Sequence, residues 1–278
     1  MDGLRVSDLS IAAMIFDVLF ALALPLVPFF ILRKKMKSRF VPILIGAATF
    51  AISALIIEAA VHRLILTPDV HAYMMKNPLL YGLYGGLMAG LFEESGRFGA
   101  FKLMRKKYNT SGDALSYGLG HGGGEAVIIF GFTMLNSLAL AMMVNSGTIS
   151  SLNGLIPAEQ LQTTVNNLVA TSPAMYLVGA LERTGAVAFH MGASILVYLA
   201  ASRRASFWFY PLAIVLHMLL DLPAALVQAG LFNSIFLMEA FLLVFAGLVL
   251  WFAIHRLRVA DRRLAAESLD AGSLSVQS

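Results

Sequence analysis

A chain of 278 residues that is 59% hydrophobic and only 13% charged, with a mean hydropathy of +0.78, carries too little charge to cover a water-facing surface. This excludes an ordinary soluble domain and makes lipid the solvent for much of the molecule. The absence of cysteine excludes disulfides and thiolate chemistry, and the net charge of +4 matters less for its sum than for where it falls.

Met1-Asp2-Gly3-Leu4-Arg5 has neither a basic leader nor a small-residue cleavage site, so the first apolar run reads as a retained helix. Stretches of about 20 mainly apolar residues predict seven spans. In chain order these are Ile11–Leu32, Phe40–His62, Pro78–Phe101, Asp113–Val144, Pro173–Ser202, Phe207–Ala229 and Phe232–His255. The fourth is too long for a simple crossing and must tilt, kink or protrude. Between the fourth and fifth, Leu161, Val165, Leu168 and Val169 recur at helical spacing opposite Gln160, Gln162, Asn166 and Asn167. This predicts a short amphipathic helix, either lying on the outer membrane surface or packed as an ordinary loop helix. Beyond Arg263 the chain is small and polar, which predicts disorder. The expected fold is all-α integral membrane: one polytopic domain over residues 1–263, with a disordered tail at 264–278.

Basic residues set the expected orientation. Arg33, Lys34, Lys35, Lys37 and Arg39 follow the first span, Lys102, Arg105, Lys106 and Lys107 the third, Arg203 and Arg204 the fifth, and Arg256, Arg258, Arg262 and Arg263 the seventh. These fifteen fall on one side, against Arg5, Arg63 and Lys76 on the other. The imbalance places the N-terminus outside and the C-terminus in the cytoplasm, with the plasma membrane as the expected location. The basic loops are topology signals, so no nucleic-acid partner is expected; the lipid bilayer is.

Two basic residues remain, Arg97 and Arg183, and both lie within spans beside carboxylates. The third span carries Glu93-Glu94-Ser95-Gly96-Arg97 and the fourth His121-Gly122-Gly123-Gly124-Glu125. The fifth carries Glu182-Arg183 and His190, and the sixth His217 and Asp221. A charge at the bilayer centre is unfavourable by about 2.5–3.5 kcal/mol even on insertion scales. At 1.5 Å per residue, Glu93, His121, His190 and His217 all lie roughly 12–20 Å in from the basic ends of their helices, in one layer. Glu93 with Arg97, His121 with Glu125, and His217 with Asp221 are spaced i,i+4 and so share a helix face. Gly82, Gly86 and Gly90 form a small-residue ladder that allows close helix approach, and Gly122 to Gly124 leave room beside His121. Glu182-Arg183 reads as a structural ion pair and Glu58 with His62, also i,i+4, as interfacial; Asp17 and Glu239 receive no assignment.

Imidazoles and a carboxylate from different helices suit zinc or another divalent ion with a position left for water. A second carboxylate can take the water's proton and pass it to a leaving group, and Arg97 would hold such a group ionised. The pattern points to metal-assisted hydrolysis; no Gly-x-Ser-x-Gly, His-Glu-x-x-His or cysteine nucleophile competes with it.

Glu93-Glu94-x-x-Arg97, a polar motif about 30 residues on, then His190 and a final His217-x-x-x-Asp221 resemble the superfamily of CAAX-processing (type II) membrane endopeptidases. That superfamily includes the PrsW proteases and the non-catalytic scaffold subunit of γ-secretase. The run Gly120-His121-Gly122-Gly123-Gly124-Glu125-Ala126 is most similar to the YhfC branch of intramembrane metalloproteases. The resemblance covers about residues 78–229, which it implies form a four-helix catalytic core. It also implies that Glu93, or Glu94, activates the attacking water, and that His217 and Asp221 bind metal or stabilise the oxyanion. CAAX proteases have Phe-x-x-x-His where this chain has His121-x-x-x-Glu125, so the division between ligands and base stays open.

The expectation is a hydrolase, most simply a peptidase acting on a membrane-associated or lipidated peptide, with its cavity in the cytoplasmic half of the bundle. His121, His190 and His217 are the candidate ligands for a divalent metal, expected to be Zn²⁺. Glu93, Glu94, Arg97, Glu125 and Asp221 are the candidate catalytic groups. An ion- or proton-coupled transporter, or a non-catalytic scaffold, are the rival readings; no inverted repeat supports the first.

Overall fold

The computed structural model describes residues 4–228, 230–231 and 233–276; residues 1–3, 277 and 278, and the expected helix bounds Ala229 and Phe232, lie outside them. Among the described residues there are helices and no strand. The first helix, α1, runs Asp8–Met36, started by Ser7, whose hydroxyl accepts from the Ser10 N–H, and closed by Lys37 at a φ of 53°. The second, α2 (Val41–Ile65), opens on Pro42 and contains a widened π segment at Ala51–Glu58. A short α3 (Pro68–Met75) leads into α4 (Pro78–Met104).

Helix α5 (Ser111–Asn145) begins with a reciprocal capping box between Thr110 and Asp113 and has its own π segment at Ala126–Gly131. That segment is how the over-long fourth span departs from a straight α-helix. Then follow α6 (Ala158–Ala170), α7 (Pro173–Ala201), α8 (Phe209–Gln228) and α9 (Ile235–Val276).

Among the described residues, six helices are long and apolar enough to cross a membrane: α1, α2, α5, α7, α8 and α9. The seventh expected span, α4, is 27 residues long, but Glu93, Glu94, Arg97 and Lys102 keep it out of that apolar class. It is packed against α8 and α7 inside the bundle, so its charges face protein and not lipid.

The most enclosed helix is α7, ringed by α1, α4, α5, α8 and α9, while α2 packs along α5. Large apolar side chains such as Leu19, Phe30, Ile56, Phe132, Val244 and Trp251 point outward, as a lipid-facing surface requires. The four basic segments meet at one end of the bundle. There Arg39 donates to Asp113 at 2.7 and 2.5 Å, Arg204 donates to the Asn109 carbonyl at 2.7 Å, and the Ser111 hydroxyl donates to Asp261 at 2.7 Å.

The structure decides one expectation that the sequence left open and departs from another. The face of α6 formed by Leu161, Val165 and Leu168 is buried against Val6, Met14, Ala141, Val144, Ile149 and Tyr176. It is a packed loop helix, because the protein itself covers the apolar stripe. The segment expected to be disordered after Arg263 continues α9 as helix to Val276, through the helix-favouring run Leu264-Ala265-Ala266-Glu267.

Glycines set how close the helices come. A Cβ on Gly120 would lie 2.0 Å from the Ile43 carbonyl oxygen of α2, and one on Gly123 would lie 2.4 Å from Pro25 of α1. On α4, a Cβ on Gly86 or Gly90 would meet the carbonyls of Met218 or Ile214 on α8 at 2.8 and 2.7 Å. The room beside His121 is therefore taken up by neighbouring backbones, and the α4 ladder brings His217 alongside Glu94. Gly120→Ala should destabilise the protein by about 2 kcal/mol through overpacking. Gly99→Ala, on the same type of helix but with no atom within 4 Å of the new Cβ, should be neutral or stabilising by up to about 1 kcal/mol. Thermal unfolding in detergent distinguishes the two.

Candidate metal centre

Each helix of the α4, α5, α7, α8 group delivers its polar residues to one interior layer. Glu93, Glu94, Arg97, His121, His190 and His217 are all buried. From α4, Glu93 reaches across to α5, where His121 Nε2 lies 2.8 Å from its Oε2. His190 Nδ1 on α7 is 3.9 Å from the same oxygen. One ligand atom each from Glu93, His121 and His190 lies within 4.8 Å of the others, a spacing a single ion can bridge.

The other nitrogen of His190 lies 2.6 Å from Glu125 Oε2, and Glu125 Oε1 accepts from Arg183 at 2.5 Å; Arg183 also donates to Glu182. With Glu125 ionised, His190 donates from Nε2, which leaves the Nδ1 lone pair directed at Glu93. Arg97 donates to the His190 carbonyl at 3.1 Å, and its second terminal nitrogen lies 3.1 Å from Nδ1. A metal ion and this guanidinium therefore compete for the same lone pair.

His217 is held differently. Its Nδ1 is 2.9 Å from Glu94 Oε1, and Glu94 is in turn 3.4 Å from Arg97 Nε. Its Nε2 lies 3.6 Å from Asp221 Oδ2, one turn along α8. The rings of His121 and His190 are 5.1 Å apart, and those of His190 and His217 are 5.4 Å apart.

The donor set fits a divalent cation on two grounds. Among the described residues, Glu93, Glu94, Glu125 and Asp221 have only two guanidiniums between them, Arg97 beside Glu94 and Arg183 beside Glu125, so with all four ionised a divalent ion would offset an excess of negative charge. His121 Nδ1 is also buried with no hydrogen-bond partner, whereas both ring nitrogens of His190 have one. Two imidazoles and a carboxylate from three different helices are a donor set common to catalytic zinc.

All eight candidate residues thus lie in one region, although they divide into two adjoining groups, Glu93, His121, His190 and Glu125, and Glu94, His217 and Asp221, with Arg97 touching both. Sequence reasoning set aside two participants. Arg183, read as a structural ion pair with Glu182, reaches Glu125 and through it His190. Glu58, read as interfacial, is buried and is bonded through His62 (3.1 Å) to the Tyr84 hydroxyl (2.9 Å). The i,i+4 spacing of Glu58 and His62 is the same signal that marked the core pairs. Asp17 and Glu239 are buried on α1 and α9, and none of their carboxylate oxygens has a hydrogen-bond partner.

The family model "YhfC intramembrane metalloprotease" matches residues 20–242. A Bacillus subtilis (strain 168) protein described as "Uncharacterized membrane protein YhfC" is 34% identical over 246 residues, 87% of this chain and 93% of the relative. No solved structure matches.

Removing Arg183 would leave Glu125 buried without its cation. Because about 15% of the Arg183 side chain is exposed, Arg183→Ala is expected to destabilise by about 2–3 kcal/mol, somewhat less than for a fully enclosed pair. The double variant Arg183→Ala/Glu125→Ala should recover much of that loss. Denaturant titration in mixed micelles reads both.

Proposed function

Because this chain belongs to the YhfC intramembrane metalloprotease family, we propose that it is a metal-dependent hydrolase of the membrane interior, cleaving an amide bond in a membrane-associated or lipidated peptide. The observation that carries this reading is the approach of Glu93, His121 and His190 to within one ion's reach, from three helices and out of contact with water. Zinc is the proposed ion, since its usual ligands at catalytic sites are of these types. A divalent cation held by the three groups would supply Lewis acidity, polarising a carbonyl and acidifying water.

The remaining residues then have separate tasks. Glu94 accepts from His217 Nδ1–H and so fixes the tautomer, leaving Nε2 as a base directed toward Asp221. His217 Nε2 takes the proton of the attacking water and returns it to the departing amine. Arg97 keeps Glu94 in place and ties the His190 backbone to α4. Glu125 orients the His190 ring as a carboxylate behind a ligand, and Arg183 balances its charge.

This divides the roles otherwise than the sequence suggests: His217 becomes acid and base, and Glu93 becomes a ligand. The excess of Lys and Arg at one end of the bundle supports an outside N-terminus, a cytoplasmic C-terminus and a plasma-membrane location.

Purified protein is expected to hold about one divalent metal ion per chain, measured by plasma emission spectrometry. His121→Ala and His190→Ala should each lower metal affinity by about 100-fold or more. His217→Ala and Glu94→Gln should retain the ion and lose hydrolysis. Wild-type protein free of metal, or metal content unchanged in both ligand variants, would overturn the proposal.

A further inference from the structure

An open cavity of about 510 Å³ lies between α2, α4 and α8, bounded by His62, Tyr81, Tyr84, Gly85, Asp221 and Ala225. It reaches the candidate site through Asp221, whose neighbour His217 carries the proposed acid–base nitrogen. Its other walls come from the ends of α2 and α4 farthest from the basic segments, so it lies toward the end opposite to that expected from the sequence. A volume of this order suits a small part of a substrate and not a folded chain.

The polarity of the walls is one-sided. Among the described residues, no Lys or Arg lines the cavity. With Glu58 ionised and His62 neutral, His62 donates from Nε2 to Glu58 Oε1, its Nδ1 accepts, and the Tyr84 hydroxyl supplies that proton. The phenolic oxygen of Tyr84 then has only lone pairs to offer the cavity. Asp221 adds a carboxylate, 39% exposed and joined to no guanidinium or ammonium among the described residues. Fixed acceptors, a carboxylate and the ring faces of Tyr81 and Tyr84 together complement a donor-rich cation.

We propose that this cavity binds a primary ammonium group of the substrate, either a free N-terminus or a lysine side chain, and thereby positions the adjacent amide at His217. The inference rests on the hydrolase reading for the meaning of that position, but the binding itself can be tested alone. Gly85 provides the means, since a Cβ there would meet no atom within 4 Å. A leucine at this position is therefore expected to take up space in the cavity that Gly85 lines.

Saturation-transfer NMR on the full-length protein in detergent, with n-butylammonium, n-butanol and butyrate as probes, tests the proposal. Butylammonium should bind at least about tenfold more tightly than either isostere, as a charge-assisted hydrogen bond implies. Asp221→Asn should weaken it by about the same factor, and Gly85→Leu should abolish the signal. Tyr84→Phe gives a second check should Gly85→Leu fail to fold, and is expected to weaken binding severalfold. Alaninamide and Nα-acetyl-lysinamide then separate the two sources of the amine: whichever competes better identifies it. Equal binding of butylammonium and butanol, or no change in Asp221→Asn and Tyr84→Phe, would overturn the assignment. Metal content measured on the same samples keeps the two readings apart. Amine selectivity without metal removes the hydrolase and leaves the cavity, whereas metal without amine selectivity does the reverse.

Discussion

Inside an apolar bundle a charge has no water to fall back on, so every ionised side chain must find its partner among other side chains. In this protein that constraint produces a continuous chain of contacts. His217 bonds to Glu94, Glu94 faces Arg97, Arg97 bonds to His190, His190 to Glu125, and Glu125 to Arg183. The chain links α8, α4, α7 and α5, the four helices of the core. No single pair in it would justify the desolvation of both members. Linked together, they fix the relative rotation of four helices, because each helix must present its one or two polar residues to the next. The candidate metal centre lies where this chain passes Glu93 and His121.

The glycines make such a chain possible. Side chains as short as Glu and His can bond across an interface only if the helix axes approach closely, and bare backbone is what permits this. The α4 ladder of Gly82, Gly86 and Gly90 lies directly against α8, and the run Gly120 to Gly124 on α5 receives α1, α2 and α7. Motif and packing are thus one feature: the residues between the chemistry-bearing positions are small because the neighbouring helices occupy their space.

Much of this was legible in the sequence, for reasons specific to membranes. Composition forces helices, and the unfavourable burial of charge makes each intramembrane Glu, His or Arg conspicuous. Depth counting then placed four of them in one layer, and they are found together. The partition within that layer was not legible. Helical spacing shows which face a residue occupies but not which neighbour it reaches, so His217 and Glu93 could not be told apart as ligand and base. Glu58 and His62 were set aside because His62 lies near the end of its span, although their spacing matched the core pairs. The π segment Ala51–Glu58 changes the helical phase just before His62, and ideal α periodicity cannot register such a shift. The disposition of α6 was undecidable in another way, since an apolar stripe looks the same whether lipid or protein covers it.

The two π segments have a further consequence. Each ends or begins at a carboxylate of the interior, Glu58 in α2 and Glu125 just before Ala126 in α5. A π turn holds more residues than an α turn, so losing one residue there would restore regular winding and leave the helix beyond it in nearly its present phase, whereas losing one from a regular α stretch rotates everything beyond it by about 100°. In α5 a deletion in the regular stretch after Gly131 would carry Ala141 and Val144 out of their cluster. It would also break the clasp in which the Asn145 side chain bonds both the N–H and the carbonyl of Val6. A one-residue deletion is therefore absorbed more readily in these two stretches than in the regular turns of either helix, while substitutions at Ala126, Phe130 and Gly131, which are buried, disturb packing.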